Sequence, residues 1–136
     1  MKRTESSGGV VINFKREILV VSQKGSSWSL PKGRIEKSED KIQAAKREIY
    51  EESGIKKLEF IKELGNYKRH KMDKKNNDDK SELKTISIFL FKTNETNLKP
   101  IDKDNPEARW VKKDKVVKLL THRKDKEFFL SILDKI

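Results

Sequence analysis

Cysteine is absent from the 136-residue chain, which excludes disulfides, thiolate metal sites and cysteine nucleophiles. Histidine occurs only twice, at His70 and His122, which leaves little for a zinc site. Both histidines sit in basic polar stretches and read as solvated, with His70 the one placed to meet a phosphate. No stretch approaches a membrane span, and the opening MKRTESSGGVVINFK has basic residues but no apolar run of signal-peptide length. The expectation is a soluble, cytoplasmic protein. Hydrophobic residues are scarce at 33% against 40% charged, but Leu, Ile, Val and Phe are clustered enough to build a core. The length suits one domain over residues 1–136.

What the chain has in excess is positive charge, a formal net +11. Such a field concentrates phosphates near the surface and favours a polyanionic partner, although stretches such as KMDKKNNDDK read equally well as a compositional habit.

Two β-branched runs, residues 10–14 and 18–21, are joined by a short polar connection and predict a hairpin. The segment SQKGSSWSLPKGRIEKS has no sustained helical period and reads as a long loop of the kind that carries function. Ser38 as N-cap, Glu39 and Asp40 in the first turn and Gly54 at the far end predict a helix over residues 39–53. Strands are expected at 57–67 and 82–92, separated by the basic hairpin loop KRHKMDKKNNDDK. A short strand at 108–111, a helix capped by Asp114 and a terminal helix over 124–133 complete an α+β domain with a central sheet. Trp28 and Trp110 read as packing residues.

The segment REIYEESGI raises the chemical question. At about 100° per residue, Glu48, Glu51 and Glu52 occupy one arc of roughly 100°, beside the apolar stripe of Ile42, Ala45 and Ile49. Like charges at these spacings repel, and the margin of a core adds a desolvation cost. Arg47 supplies one positive charge, pairing with Glu51, and leaves the cluster short of compensation. A hard divalent cation, Mg²⁺ or Mn²⁺, completes it and would bridge to phosphate oxygens.

The spacing extends outward as G-x5-E-x7-R-E-I-x-E-E-x-G-I from Gly33 to Ile55, and all nine specified positions resemble the Nudix box. The Gly8-Gly9 strand and the PEARWV strand are similar to elements flanking that box, so the resemblance covers nearly the whole chain. It implies an αβα sandwich with a mixed sheet, and hydrolysis of a diphosphate linkage in a nucleoside polyphosphate. Glu48, Glu51 and Glu52, with the Gly33 carbonyl, would be the metal ligands, braced by Glu39 and Arg47. Glu51, Glu52, Asp104 or Glu107 would take the proton of the attacking water.

The entry WSLPKGRIEKSED and the ending HRKDKEFF are similar to the asymmetrical diadenosine tetraphosphate hydrolases, and the entry also to the diphosphoinositol polyphosphate phosphohydrolases. Lys32 and Arg34 would then face the phosphate chain, Lys84 the far phosphates, and Tyr67 or Phe89 an adenine. Diadenosine tetraphosphate is the leading expected substrate; inositol pyrophosphates, the 5′ end of triphosphorylated RNA and an oxidised nucleoside triphosphate are the alternatives. A binding module that reads a nucleotide without cleaving it is the reading from another class, and the intact glutamates argue against it.

Overall fold

The structure, a computed structural model, describes residues 1–136. β1 (Lys2–Ile12) and β2 (Glu17–Gln23) form the expected hairpin. Asn13 Oδ1 accepts from the backbone N–H groups of Lys15 and Glu17 at 3.0 and 2.9 Å, which shapes the connection. The segment expected to be loop contains two short strands, β3 (Ser27–Ser29) and β4 (Lys32–Arg34). Three residues are too few to display a period of two, so neither was legible. β4 pairs with β1 opposite Ser6, Ser7 and Gly8. At Gly8 a Cβ would overlap the Pro31 carbonyl and Lys32.

The central helix α1 spans Lys41–Ser53, and its N-cap is Asp40 rather than Ser38. Asp40 Oδ1 accepts from the Gln43 N–H at 2.8 Å, while the Gln43 side chain accepts from the Asp40 N–H at 3.0 Å. Ser38 has a φ of 75° and serves as the corner before the cap, because Glu39 turns back to bind the Glu36 N–H. At the other end Gly54 takes a φ of 82°, donates to the Tyr50 carbonyl and packs against the Lys99 backbone.

β5 (Glu59–Met72) and β6 (Asp78–Lys92) run far into the expected basic loop, leaving only residues 73–77 as connection. β7 (Ala108–Lys112) follows, then a 3₁₀ turn at Lys113–Lys115, the single-turn helix α2 (Val116–Leu119) and the terminal helix α3 (Arg123–Ser131). Asp114 lies inside the 3₁₀ turn and caps nothing. The cap of α3 is His122, whose Nδ1 accepts from the Lys124 N–H at 3.0 Å; the residue is buried, not solvated as expected.

The sheet runs β3-β2-β1-β6-β5, with β4 on β1 and β7 on β2. The β1–β6 pair is parallel and the rest are antiparallel, so the sheet is mixed. One face carries Val10, Ile86, Ile88 and Leu90 under Phe128, Phe129 and Ile132. The other carries Val11, Leu19, Phe89 and Phe91 under Ala45 and Ile49 of α1. The result is the expected α+β sandwich. Coverage on both faces also corrects one assignment: Phe89, a candidate for base stacking, is 4% exposed and is a core residue. No helix is long and apolar enough to cross a membrane.

Candidate active site

Arg47 is the hub of the loop-helix segment. Its Nε lies 2.6 Å from Glu39 Oε2 and its Nη2 donates to Glu39 Oε1 at 3.0 Å, a two-point grip. The same guanidinium donates to the Arg34 carbonyl at 3.0 Å, to Glu48 at 2.9 Å and more weakly to Glu51 at 3.3 Å. The Glu51 pairing expected from sequence is therefore the secondary one. Glu39 explains the spacing: it precedes the helix, reaches Arg47 two turns inside it and accepts from the Glu36 N–H at 2.9 Å. The Arg47 bond pulls the Glu39 pKa down, and these acids push that of Arg47 up.

Gly33 lies directly over Glu48, so that any Cβ at residue 33 would overlap the Glu48 carboxylate. Glu52 stands beside Glu48 and is 3% exposed. Its Oε1 accepts from the Lys32 backbone N–H at 3.2 Å, and no cationic side chain forms an ion pair with it. Burial, followed by the hydrogen bond and charge of Glu48, raises its pKa well above the usual carboxylate range. Two carboxylates pressed together, with Arg47 on Glu48 and no cationic side chain on Glu52, are a set of hard oxygen donors short of positive charge. That donor set fits a divalent cation. As placed, the pair that converges is Glu48 and Glu52, while Glu51 is turned to Arg47 and half exposed.

Behind this pair lies a buried cationic wall of which the sequence identified only part. Lys32 is buried, and burial together with Arg69 lowers its pKa to about 7. Lys84 is half-buried and shifted downward by the same two causes. Arg69, expected in a solvated loop, is 5% exposed and lies 3.0 Å from Asp125 of α3. The Tyr67 hydroxyl donates to Asp125 Oδ1 at 2.5 Å, and the Tyr67 ring stacks on Phe128 with centroids 4.6 Å apart. His122 Nε2 lies 3.1 Å from Asp78 Oδ1; burial and Arg69 hold its pKa down.

A model of the NUDIX domain matches residues 2–131. The chain belongs to the Nudix hydrolase family. Among curated Nudix relatives, an RNA pyrophosphohydrolase of Pelagibacter ubique is 29% identical over 124 residues, covering 83% of this chain and 78% of the relative. One from Bartonella henselae is 53% identical over 36 residues, 26% of this chain and only 21% of that relative's length. Among solved structures, an Ap4A hydrolase of C. elegans superposes with a TM-score of 0.73 at 21% identity, covering 98% of this chain and 99% of that one.

The remaining residues proposed from the Nudix resemblance fall outside the acid pair. Arg34 is exposed and pairs with Glu82 at 3.3 Å, whose carboxylate also accepts from Thr4 Oγ1 at 2.7 Å. Asp104 and Glu107 lie in the exposed segment before β7, near the end of β2; the Glu107 N–H donates to Ser22 Oγ at 3.2 Å. The Glu107 carboxylate is held by Arg109 at 2.6 Å, and neither acid bonds to Glu48, Glu51 or Glu52. The Ile101 and Asp102 N–H groups cap the Glu51 carbonyl at 2.9 Å, which ties this segment to the end of α1. Signals for Arg69, Asp125 and His122 were available only as polar residues on strand-like and helix-like periods.

Proposed function

We propose that this Nudix chain is a divalent-metal-dependent pyrophosphohydrolase that cleaves a phosphoanhydride at the 5′ end of triphosphorylated RNA. The observation that carries the reaction class is the Glu48–Glu52 carboxylate pair, in which Glu52 is buried with no cationic side chain bonded to it and Glu48 has Arg47 alone, beside the buried Lys32. Glu48, Glu51, Glu52 and the Gly33 carbonyl would hold the metal ion. When bound, it supplies charge neutralisation at the phosphoryl oxygens and a more acidic attacking water. Arg47 holds Glu48 and the Gly33 loop in register, Lys32 offers positive charge to the phosphate chain, and Glu51, half-exposed and held only weakly by Arg47 at 3.3 Å, is the carboxylate that would take a proton from water.

Two observations favour RNA over the diadenosine tetraphosphate expected from sequence. The relative matched over most of the chain bears the name RNA pyrophosphohydrolase. The aromatic residues expected to hold adenine are also committed elsewhere: Phe89 to the core, and Tyr67 to Phe128 and Asp125. The test is turnover on 5′-triphosphorylated RNA, diadenosine tetraphosphate, an inositol pyrophosphate and a nucleoside triphosphate, with Mg²⁺ or with EDTA. Fastest turnover on RNA with Mg²⁺ is expected. Preference for diadenosine tetraphosphate would reverse the substrate assignment, and tight binding without turnover on any of them would favour the binding-module reading.

A further inference from the structure

At the end of the sheet where β1 and β6 finish and β5 begins, a cavity of about 840 Å³ opens between the β1–β2 turn and the segments 57–59 and 92–95. That volume is in the range of ligand sites. Arg16, Lys57 and Lys92 line it; all three are exposed and none forms an ion pair. The acids in the lining are Glu59 and Glu95. Glu95 is already engaged, its Oε2 accepting from the backbone N–H groups of Lys56 and Lys57 at 2.7 and 2.9 Å. Glu59 stands opposite Lys92 across β5 and β6, which leaves positive charge in surplus around the cavity.

The β1–β2 turn adds two features that folding alone does not call for. Phe14 is 65% exposed and packs in neither core, although it lines the cavity, and the Lys15 ammonium lies 6.0 Å from its ring centroid. Arg16 has a φ of 64°, in the left-handed region that glycine adopts freely and an arginine adopts only under strain. Asn13 fixes the turn, since its side chain bonds the Lys15 and Glu17 N–H groups and its carbonyl accepts from the Arg16 N–H at 2.9 Å. A bare ring and a strained arginine on one rigid turn, both lining a basic cavity, point to a ligand with flat apolar faces and negative charge.

We propose that this cavity holds the single-stranded RNA chain leading away from the 5′ end, with a base stacked on Phe14 and phosphodiesters against Arg16, Lys57 and Lys92. An aromatic platform beside a basic groove is how single strands are bound without regard to sequence. The position suits a chain: Ser7 faces Gly33, Ile12 lines the cavity, and the stretch of β1 between them spans about 17 Å. The 5′ end at the glutamates and the strand at the cavity are thus parts of one substrate. The inference rests on the RNA reading for the identity of the strand, and extends it from the 5′ end to the body of the molecule.

The test measures binding of a single-stranded pyrimidine RNA with a 5′-hydroxyl end to the full chain in EDTA, by fluorescence anisotropy over a range of salt concentrations. Phe14→Ala should lower affinity about tenfold with the salt dependence unchanged, as for loss of one stacked base. Arg16→Gly adopts the turn without strain, so the fold is kept. It should lower affinity and reduce the slope of log affinity against log salt by about 0.7, as for loss of one phosphate contact. Lys74→Gln removes an exposed charge at the far end of the β5–β6 hairpin and should change affinity by less than about twofold. No loss in Phe14→Ala and Arg16→Gly, or an equal loss in Lys74→Gln, would overturn the site. Because the strand carries no triphosphate and no turnover is read, failure of the hydrolase assignment leaves this result standing. A second arm compares KM for 5′-triphosphorylated strands: the natural chain should have a lower KM for a long strand than for a dinucleotide, and Arg16→Gly should narrow that difference. A difference kept in full by Arg16→Gly would overturn the claim that the cavity holds the substrate's own strand.

Discussion

Glu52 is the residue on which the metal assignment turns, and its environment predicts two separable effects. It is buried against Glu48 with a raised pKa, so in the metal-free protein the folded state binds its proton more tightly than the unfolded chain does. That contribution to stability is complete below the ordinary carboxylate range and is lost as pH rises through the raised value. Glu52→Gln should therefore flatten the fall in Tm with rising pH in EDTA, with Tm at neutral pH equal to or above that of the natural chain. The same variant should lose roughly two or more orders of magnitude in turnover, since it removes a metal donor without disturbing packing. A variant of normal rate would refute the ligand role. At Gly33 the prediction is steric: Gly33→Ala pushes a methyl into the Glu48 carboxylate, and kcat should drop about as far as for loss of that carboxylate. Steady-state kinetics on both variants checks the pair.

At the scale of elements, the loop before α1 and the first turns of the helix behave as one clasp, closed by Arg47 on Glu39, Glu48 and the Arg34 carbonyl. Arg47→Lys keeps the charge but loses the planar fork, and should cost about 10- to 100-fold in kcat/KM with a small change in Tm. The separate cap is testable by melting: Asp40→Ala should cost about 1 kcal/mol of stability and leave KM unchanged. This clasp was legible before the fold was known through the resemblance to the Nudix box, which Glu39, Arg47 and the three glutamates match within one local segment. The cap was misplaced by two residues because Ser38 and Asp40 are both good caps. Choosing between them required the Glu39–Arg47 bond, which draws the chain into its turn at Ser38. Arg69 and Asp125 were not legible for the opposite reason: their pairing depends on how α3 lies across β5, and nothing local marks it. Strands β3 and β4 were missed as too short to carry a pattern, although β4 holds the Gly33 on which the site depends.

At the scale of the whole molecule, the net charge of +11 acts on encounter with substrate. Polyanion capture should weaken as salt shortens the Debye length, so KM for a triphosphorylated RNA should rise with ionic strength while kcat stays nearly constant. The mixed sheet assembles the site from distant parts of the chain, with α1 against one face, α3 against the other and the β4 rim between them. The central claim is that the glutamates of α1, with a divalent cation, hydrolyse a phosphoanhydride of a 5′-polyphosphorylated end. Its most direct test is a single-turnover measurement of phosphate or pyrophosphate release from 5′-triphosphorylated RNA, for the natural chain and Glu52→Gln, with Mg²⁺ or EDTA. Release only by the natural chain and only with Mg²⁺ is the predicted result. Equal release in EDTA, or by Glu52→Gln, would contradict it.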